Sequence, residues 1–86
     1  MRFQLSRHAQ EKLESREIPP NFLQSVLQSP QQIVPDQDGK KVYQSQFEFD
    51  NGKIYLVRAI ILDSTSPAIV LTVYKTSQIR RYWREA

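Results

Sequence analysis

Polar side chains interrupt the two most hydrophobic segments of the sequence, at positions where chemistry could occur. Arg58 lies within the apolar run 53–62, and Thr72 and Tyr74 alternate with aliphatic residues in the run 68–76. A guanidinium group presents planar donors that match two phosphate oxygens. Because a charge inside an apolar strand costs free energy, its presence favours a functional role for Arg58.

The strand residues also have structural explanations, which the sequence leaves open. Arg58 could form an ion pair with a carboxylate such as Glu48 or Asp50. Tyr74 could be a core tyrosine whose hydroxyl reaches water, although it could also supply a proton or stack on a base. For Thr72, the ordinary β-propensity of threonine is a sufficient explanation.

His8 is the only histidine in the sequence. Histidine titrates near pH ~6.5, so His8 could act as a base or as an acid at working pH. The alternative is a histidine at the boundary of the core that hydrogen-bonds a neighbouring loop. Both interpretations remain open from the sequence.

Basic side chains concentrate toward the two ends of the chain. Residues 72–86 contain one acid, Glu85, and four bases, which are Lys75, Arg80, Arg81 and Arg84. Near the N-terminus, helical spacing places Lys12 and Arg16 beside an apolar stripe. If the two ends meet, they form a positive patch suited to a polyanion such as RNA, or to an acidic protein. Alternatively, the formal net charge of +3 serves only solubility.

Length and composition narrow the classes of protein that this chain can belong to. With 86 residues, we expect a single domain over residues 1–86 with one site. The sequence has no cysteine and one histidine, so it predicts no dedicated zinc or transition-metal site and no cofactor. Any catalysis should be metal-free or use loosely held magnesium. It has neither a membrane-length apolar run nor a signal-peptide core, so we expect no membrane partner and a cytoplasmic protein.

Local patterns predict two helices near the N-terminus. Ser6 is a good N-cap for a helix over about 7–16, after a short strand or an extended lead-in at 2–5. Pro19 and Pro20 end that helix, and Pro20 suits the first turn of a second helix over 21–29. We expect both helices to pack on one side of a sheet, and we name Leu13, Phe22 and Val26 as the contacts.

The rest of the chain reads mainly as β-structure. Residues 33–34 could begin a strand, and 41–49 alternates with Gln44 on a hydrated face. Asn51-Gly52 predicts a type I′ hairpin turn, followed by antiparallel strands at 53–62 and 68–76 and a short C-terminal helix. The predicted fold is therefore α+β, with two N-terminal helices on a three- or four-stranded antiparallel sheet in which strand 68–76 is central.

Several short motifs in this order resemble a known family. They are Ser-Arg-His-Ala at 6–9, Arg-Glu-Ile-Pro at 16–19, Ser-Pro at 29–30, Val-Tyr-Gln at 42–44 and Leu-Thr-Val-Tyr-Lys-Thr at 71–76. Together they resemble domain of unknown function 4258, a group of small bacterial and phage proteins. That family is commonly grouped with BrnT-like and RelE/ParE-like toxins and with the barnase-like ribonuclease fold. The usual Arg-Gly-Ile of the family is Arg-Glu-Ile here.

The resemblance implies a metal-independent endoribonuclease toxin with a cognate antitoxin as its partner. The matching positions are His8, Arg16, Arg58, Thr72 and Tyr74. Cleavage of RNA without a metal needs a base, an acid and a cation on the phosphorane. We therefore expect His8 and Arg58 to serve one phosphate, with Arg16 or Lys12 at the rim. The C-terminal arginines would be general phosphate contacts or a solvated helix face. The alternative is a non-catalytic module of the same fold that recognises RNA or a protein.

Overall fold

The computed structural model describes residues 2–85. In chain order its elements are β1 (Phe3–Leu5), α1 (Arg7–Ser15), α2 (Pro20–Gln28), β2 (Gln32–Pro35), a 3₁₀ turn (Gln37–Gly39), β3 (Lys41–Glu48), β4 (Ile54–Leu62), β5 (Ala68–Thr76) and α3 (Ile79–Tyr82). This order confirms the predicted α+β class. No helix in this part of the chain is long and apolar enough to cross a membrane.

The strands form one five-stranded sheet in the order β1-β5-β4-β3-β2. The pairs β2–β3, β3–β4 and β4–β5 are antiparallel, as predicted, but β1 runs parallel to β5. The prediction of three or four antiparallel strands was therefore wrong in number and in one orientation, and β4 is the central strand instead of β5. The physical reason is length, since the alternation of a three-residue segment such as β1 is too short to distinguish a strand from an extended lead-in. Its pairing with β5 makes it a strand.

The hydrophobic core lies between the helices and one face of the sheet. Ser6 caps α1 as predicted, accepting a hydrogen bond at its Oγ from the backbone N–H of Ala9 at 3.0 Å. The α1 residue that is fully buried is Ala9, and α2 buries Leu23, Val26 and Leu27. Phe22 stacks on Phe47 of β3, with ring centroids 4.5 Å apart. Both helices contribute residues to this core, but α1 does so through Ala9, whereas the predicted contact Leu13 is only partly buried against it.

The turn after α1 ends the helix in a way that the prolines alone did not predict. The N–H of Ile18 bonds the carbonyl oxygen of Leu13 at 3.0 Å, and the N–H of Glu17 bonds that of Glu14 at 3.1 Å. This is the Schellman arrangement, which is usually completed by glycine in the left-handed region. Here Glu17 takes that position with φ of +52°. A glutamate thus occupies a left-handed backbone position that glycine would adopt without strain.

One local irregularity determines which side chains of β5 share a face. The β4–β5 register shifts between Ile60 and Ile61, so that Val70 and Val73 both reach the core.

The β3–β4 turn has positive φ at Gly52 but not at Asn51, and the N–H of Gly52 bonds the oxygen of Phe49 at 2.9 Å. The predicted type I′ turn is therefore wrong, because that turn requires positive φ at both central residues.

Candidate functional site

A row of polar side chains crosses the sheet face that points away from α1 and α2. Gln32 pairs with Gln44, Gln44 with Arg58, and Arg58 with Tyr74, on four neighbouring strands. Their strand neighbours, such as Val57, belong to the core beneath the helices, and alternation directs the row to the other face. The register therefore brings Arg58 and Tyr74 together on this face.

Arg58 is held from three sides. Its Nε donates to Oε1 of Gln44 at 2.9 Å, its Nη1 donates to the hydroxyl of Tyr74, and its Cζ lies 4.2 Å from the ring centroid of Tyr82. Within residues 2–85, no carboxylate forms an ion pair with this half-buried guanidinium. The expected alternative, a pair with Glu48 or Asp50, is absent there. The guanidinium is therefore fixed in direction while its charge stays uncompensated.

Gln44 is the buried centre of this network. The residue is 0% exposed, although the strand pattern predicted a hydrated position for it. Its Oε1 accepts from Arg58, and its Nε2 donates to Oε1 of Gln32 at 2.8 Å and to the backbone oxygen of Tyr82 at 3.2 Å. The amide can be buried because each of its polar atoms has a partner.

Residues 79–85, here called the C-terminal segment, lie against this row. Gln32 bonds the backbone of Arg84 twice, donating from Nε2 to its oxygen at 2.6 Å and accepting at Oε1 from its N–H at 3.1 Å. Arg81 places its Cζ 5.6 Å from the ring centroid of Tyr82. Arg80, Arg81 and Arg84 are all exposed. The segment thus adds an aromatic ring that contacts Arg58, and it carries three exposed arginines.

The structure does not bring His8 to this row. His8 is exposed on α1, and α1 packs through Ala9 on the core at the opposite face of the sheet. None of the contacts of Arg58 involves the imidazole. Thr72 does share the face, since it pairs with Ile60, one position along from the Arg58–Tyr74 pair. The expected sharing of one phosphate by His8 and Arg58 has no support in this geometry.

The other basic residues named from the sequence lie elsewhere. Arg16 donates from Nη1 to the backbone oxygen of Val73 at 2.8 Å, which ties the end of α1 to β5. Lys12 is half-buried on α1. Lys75 lies on the helix side of the sheet, with its Nζ 4.6 Å from the ring centroid of Phe49, in a pocket of about 300 Å³. These three residues do not join the Arg58 row.

Few charges in the described chain neutralise one another. The ion pairs among residues 2–85 are Arg7–Glu11, at 3.8 Å, and Lys41–Asp63, at 2.9 Å. The hydrogen bond and the charge of the Asp63 carboxylate raise the pKa of Lys41 above its ordinary value. No group of three or more metal-binding side chains occurs in this range.

Comparison with known proteins identifies the family. The family model for DUF4258, a domain of unknown function, matches residues 5–75. This chain belongs to the DUF4258 family. No curated protein and no solved structure was found to match it. The matched region contains Arg58 and Tyr74 of this DUF4258 chain but ends before the C-terminal segment.

Sequence reasoning missed three side chains of the DUF4258 site, namely Gln32, Gln44 and Tyr82. For Gln44 the signal was misleading, because the predicted two-residue turn at Asn51-Gly52 would pair Arg58 with Ser45, whereas the observed hairpin is centred on Asn51 and pairs Arg58 with Gln44. Gln32 and Tyr82 had no comparable signal. Their contacts with the row depend on where the C-terminal segment docks.

Proposed function

We propose that this DUF4258 protein is a non-catalytic RNA-binding module whose phosphate contact is centred on Arg58. The observation that carries the proposal is the oriented, half-buried guanidinium that has no carboxylate partner within residues 2–85. A guanidinium so placed has donors left for two oxygens of a phosphate, and a charge-assisted bond to an anion offsets the cost of its partial burial.

The charge distribution around Arg58 supports a polyanionic ligand. The C-terminal segment, whose backbone is bound by Gln32 and Gln44 of the row, carries Arg80, Arg81 and Arg84, with Glu85 as its only acid. Several cations along one surface suit a chain of phosphates better than a single small anion. Tyr82, stacked on Arg58, adds the kind of aromatic ring on which unpaired bases stack.

Binding is favoured over cleavage because the side chain best suited to proton transfer is elsewhere. His8 belongs to α1 on the far side of the sheet from the row. The groups that contact Arg58 are an amide and two phenols. This set can orient and bind a phosphate, but it includes no group that ordinarily accepts a proton at neutral pH.

A pair of charge-removing variants tests the proposal. Arg58→Gln should weaken binding of a labelled single-stranded RNA by about tenfold or more, in line with the ~1.5–3 kcal/mol of a charged hydrogen bond. Arg58→Lys should recover only part of this loss, because an ammonium lacks the planar fork. The matched control is Arg7→Gln, which removes an exposed charge from α1 and should change affinity by less than about twofold.

Fluorescence anisotropy over a range of salt concentrations provides the measurement. Loss of one phosphate contact should lower the salt slope by about 0.7 for a single strand. Equal losses in Arg58→Gln and Arg7→Gln would contradict a specific site. No RNA binding by the unmodified protein, together with capture of an acidic protein at this face, would replace RNA by a protein partner.

A second candidate is a ribonuclease toxin that a cognate antitoxin neutralises by covering the same face. The specific observation in its favour is that Tyr74 accepts a hydrogen bond from Arg58, which leaves its own O–H available to a leaving group. In that reaction the 2′-oxygen of RNA would lose its proton to water and attack phosphorus. The bond from phosphorus to the 5′-oxygen would break, and Tyr74 would protonate that oxygen, with Thr72 nearby on the face.

Two variants separate this candidate from simple binding. If Tyr74 is the acid, Tyr74→Phe should reduce RNA cleavage by about 10²- to 10⁴-fold with RNA binding nearly unchanged. His8→Ala should then leave cleavage intact. A comparable loss in His8→Ala would instead assign the proton transfer to His8. Intact RNA after incubation with the unmodified protein, and normal growth on its expression, would exclude the ribonuclease.

A further inference from the structure

The C-terminal segment docks on the sheet through two side-chain amides rather than through an additional strand. Gln32 bonds both the N–H and the oxygen of Arg84, which is the pattern by which one β-strand residue would pair with another. Gln44 bonds the backbone oxygen of Tyr82 and also Gln32. We call Gln32 and Gln44 the amide clamp. Because the clamp holds backbone atoms, it sets the position of residues 82–84 whatever their side chains are.

The clamp places the Tyr82 ring on Arg58. The guanidinium carbon lies 4.2 Å from the ring centroid, a distance for face-on stacking of the two planes. Stacking covers a face of the guanidinium, whereas its N–H donors point outward in the plane. The contact with Tyr82 is therefore compatible with a phosphate at the edge of the Arg58 side chain.

We propose that the C-terminal segment is a wall of the RNA site and that Gln32 is the positioning residue that holds it there. This inference rests on the proposed RNA-binding function. It assigns to Gln32, which need not touch RNA, the task of holding Tyr82 and Arg81 beside Arg58. It also names the substrate class, single-stranded RNA, whose unpaired bases can stack on exposed aromatic and guanidinium planes.

The charges of the segment show why we infer a wall and not a cover. A segment that blocks a phosphate site would be expected to offer Arg58 a carboxylate in place of the phosphate. The only acid of the segment is Glu85, and it forms no ion pair with Arg58. Instead, the segment carries three arginines, and the guanidinium of Arg81 lies near the same Tyr82 ring that contacts Arg58. Because like charges repel, the docked position of the segment beside Arg58 is electrostatically unfavourable until a polyanion is bound.

The experiment compares Gln32→Met with Gln28→Met in the full chain. The first substitution keeps the approximate volume of a half-exposed side chain but removes both bonds to Arg84 and the bond that Oε1 accepts from Gln44. The second makes the same change at an exposed position at the end of α2. Affinity for a labelled single-stranded RNA and for the matching duplex is measured by anisotropy at several salt concentrations. Tyr82→Leu, which removes the ring without changing charge, is measured in parallel.

We expect Gln32→Met to weaken single-strand binding about three- to tenfold and to lower the salt slope by about 0.7 to 1.4, the contribution of one or two phosphate contacts. Gln28→Met should match the unmodified protein. Tyr82→Leu should lose single-strand affinity with little change in the salt slope. Both Gln32→Met and Tyr82→Leu should lose less affinity for the duplex than for the single strand. A purely structural effect of Gln32 would not change the slope.

Two results would overturn the inference. Tighter RNA binding by Gln32→Met would show that the segment covers the site, and unchanged affinity and slope in both Gln32→Met and Tyr82→Leu would show that it takes no part. If Gln32→Met fails to fold, the Tyr82→Leu measurement decides. Failure of the proposed function itself is distinguishable, because then the unmodified protein binds no RNA or Arg58→Gln has no effect.

Discussion

Arg58 and Gln44 form a hydrogen bond of 2.9 Å between neighbouring strands, in which a fully buried amide orients a half-exposed cation. Both polar atoms of the amide are hydrogen-bonded, because its Nε2 also donates to Gln32 and to the backbone oxygen of Tyr82. The packing of the sheet around Gln44 therefore determines the orientation of the Arg58 guanidinium. The amide stabilises the fold and sets the geometry of the candidate site at once.

The first prediction follows from the burial of this amide. Gln44→Leu should lower the free energy of unfolding by about 2 kcal/mol, because it leaves the Nε of Arg58 and the oxygen of Tyr82 without a buried partner. Urea denaturation followed by circular dichroism measures the change. The control is Gln24→Leu, an exposed position on α2, which should shift stability by less than about 0.5 kcal/mol. Equal stability of the two variants would contradict the central role of Gln44.

The second prediction concerns Ser6, which has two roles. Its Oγ accepts from the N–H of Ala9 and donates to the backbone oxygen of Leu71 at 3.0 Å. Ser6→Ala should therefore cost about 1–2 kcal/mol, since it removes both a helix cap and a link from α1 to β5. Ser15→Ala, at the exposed end of α1, should be nearly neutral in the same thermal unfolding assay. A loss below ~0.5 kcal/mol for Ser6→Ala would refute the double role.

The third prediction uses the left-handed backbone at Glu17. Glu17→Gly should raise the free energy of unfolding by about 0.5–1 kcal/mol, because glycine adopts φ of +52° without the Cβ strain of glutamate. Glu14→Gly, inside α1, should have the opposite sign and cost about 1 kcal/mol. Chemical denaturation of both variants tests this contrast. A destabilised Glu17→Gly would indicate that the glutamate side chain makes a favourable contribution larger than its strain.

The fourth prediction is a dependence on pH. Since Asp63 raises the pKa of Lys41 in the folded state, their ion pair contributes stability at pH values below the ordinary lysine pKa of about 10.4. The contribution is lost as the pH rises through the higher folded-state value. The stability difference between the unmodified protein and Lys41→Met should thus persist from pH 7 to 9 and decline above pH ~10.4. Lys40→Met, which lacks an ion pair to lose within residues 2–85, should show no such decline.

Local patterns in the sequence were sufficient for part of this fold and site. The cap at Ser6, the helix over 7–15, the β4–β5 hairpin and the common face of Thr72 and Tyr74 all follow from spacing within a few residues. Arg58 was also predicted as a site residue from local context, because the sequence alone shows a charge within an apolar strand. These features depend on residues that are close in the chain, and short-range periodicity reports them directly.

Only the tertiary structure decided which of those residues meet. Ser6 contacts Leu71, which is 65 positions away in the sequence, and Gln32 contacts Arg84, which is 52 positions away. Local periodicity does not predict either contact. The parallel pairing of β1, the burial of Gln44 and the position of Tyr82 on Arg58 depend on such distant contacts. The exposed place of His8 on α1 was decided in the same way. A helical stripe indicates which side of a helix is buried, but only packing determines on which face of the sheet that helix lies.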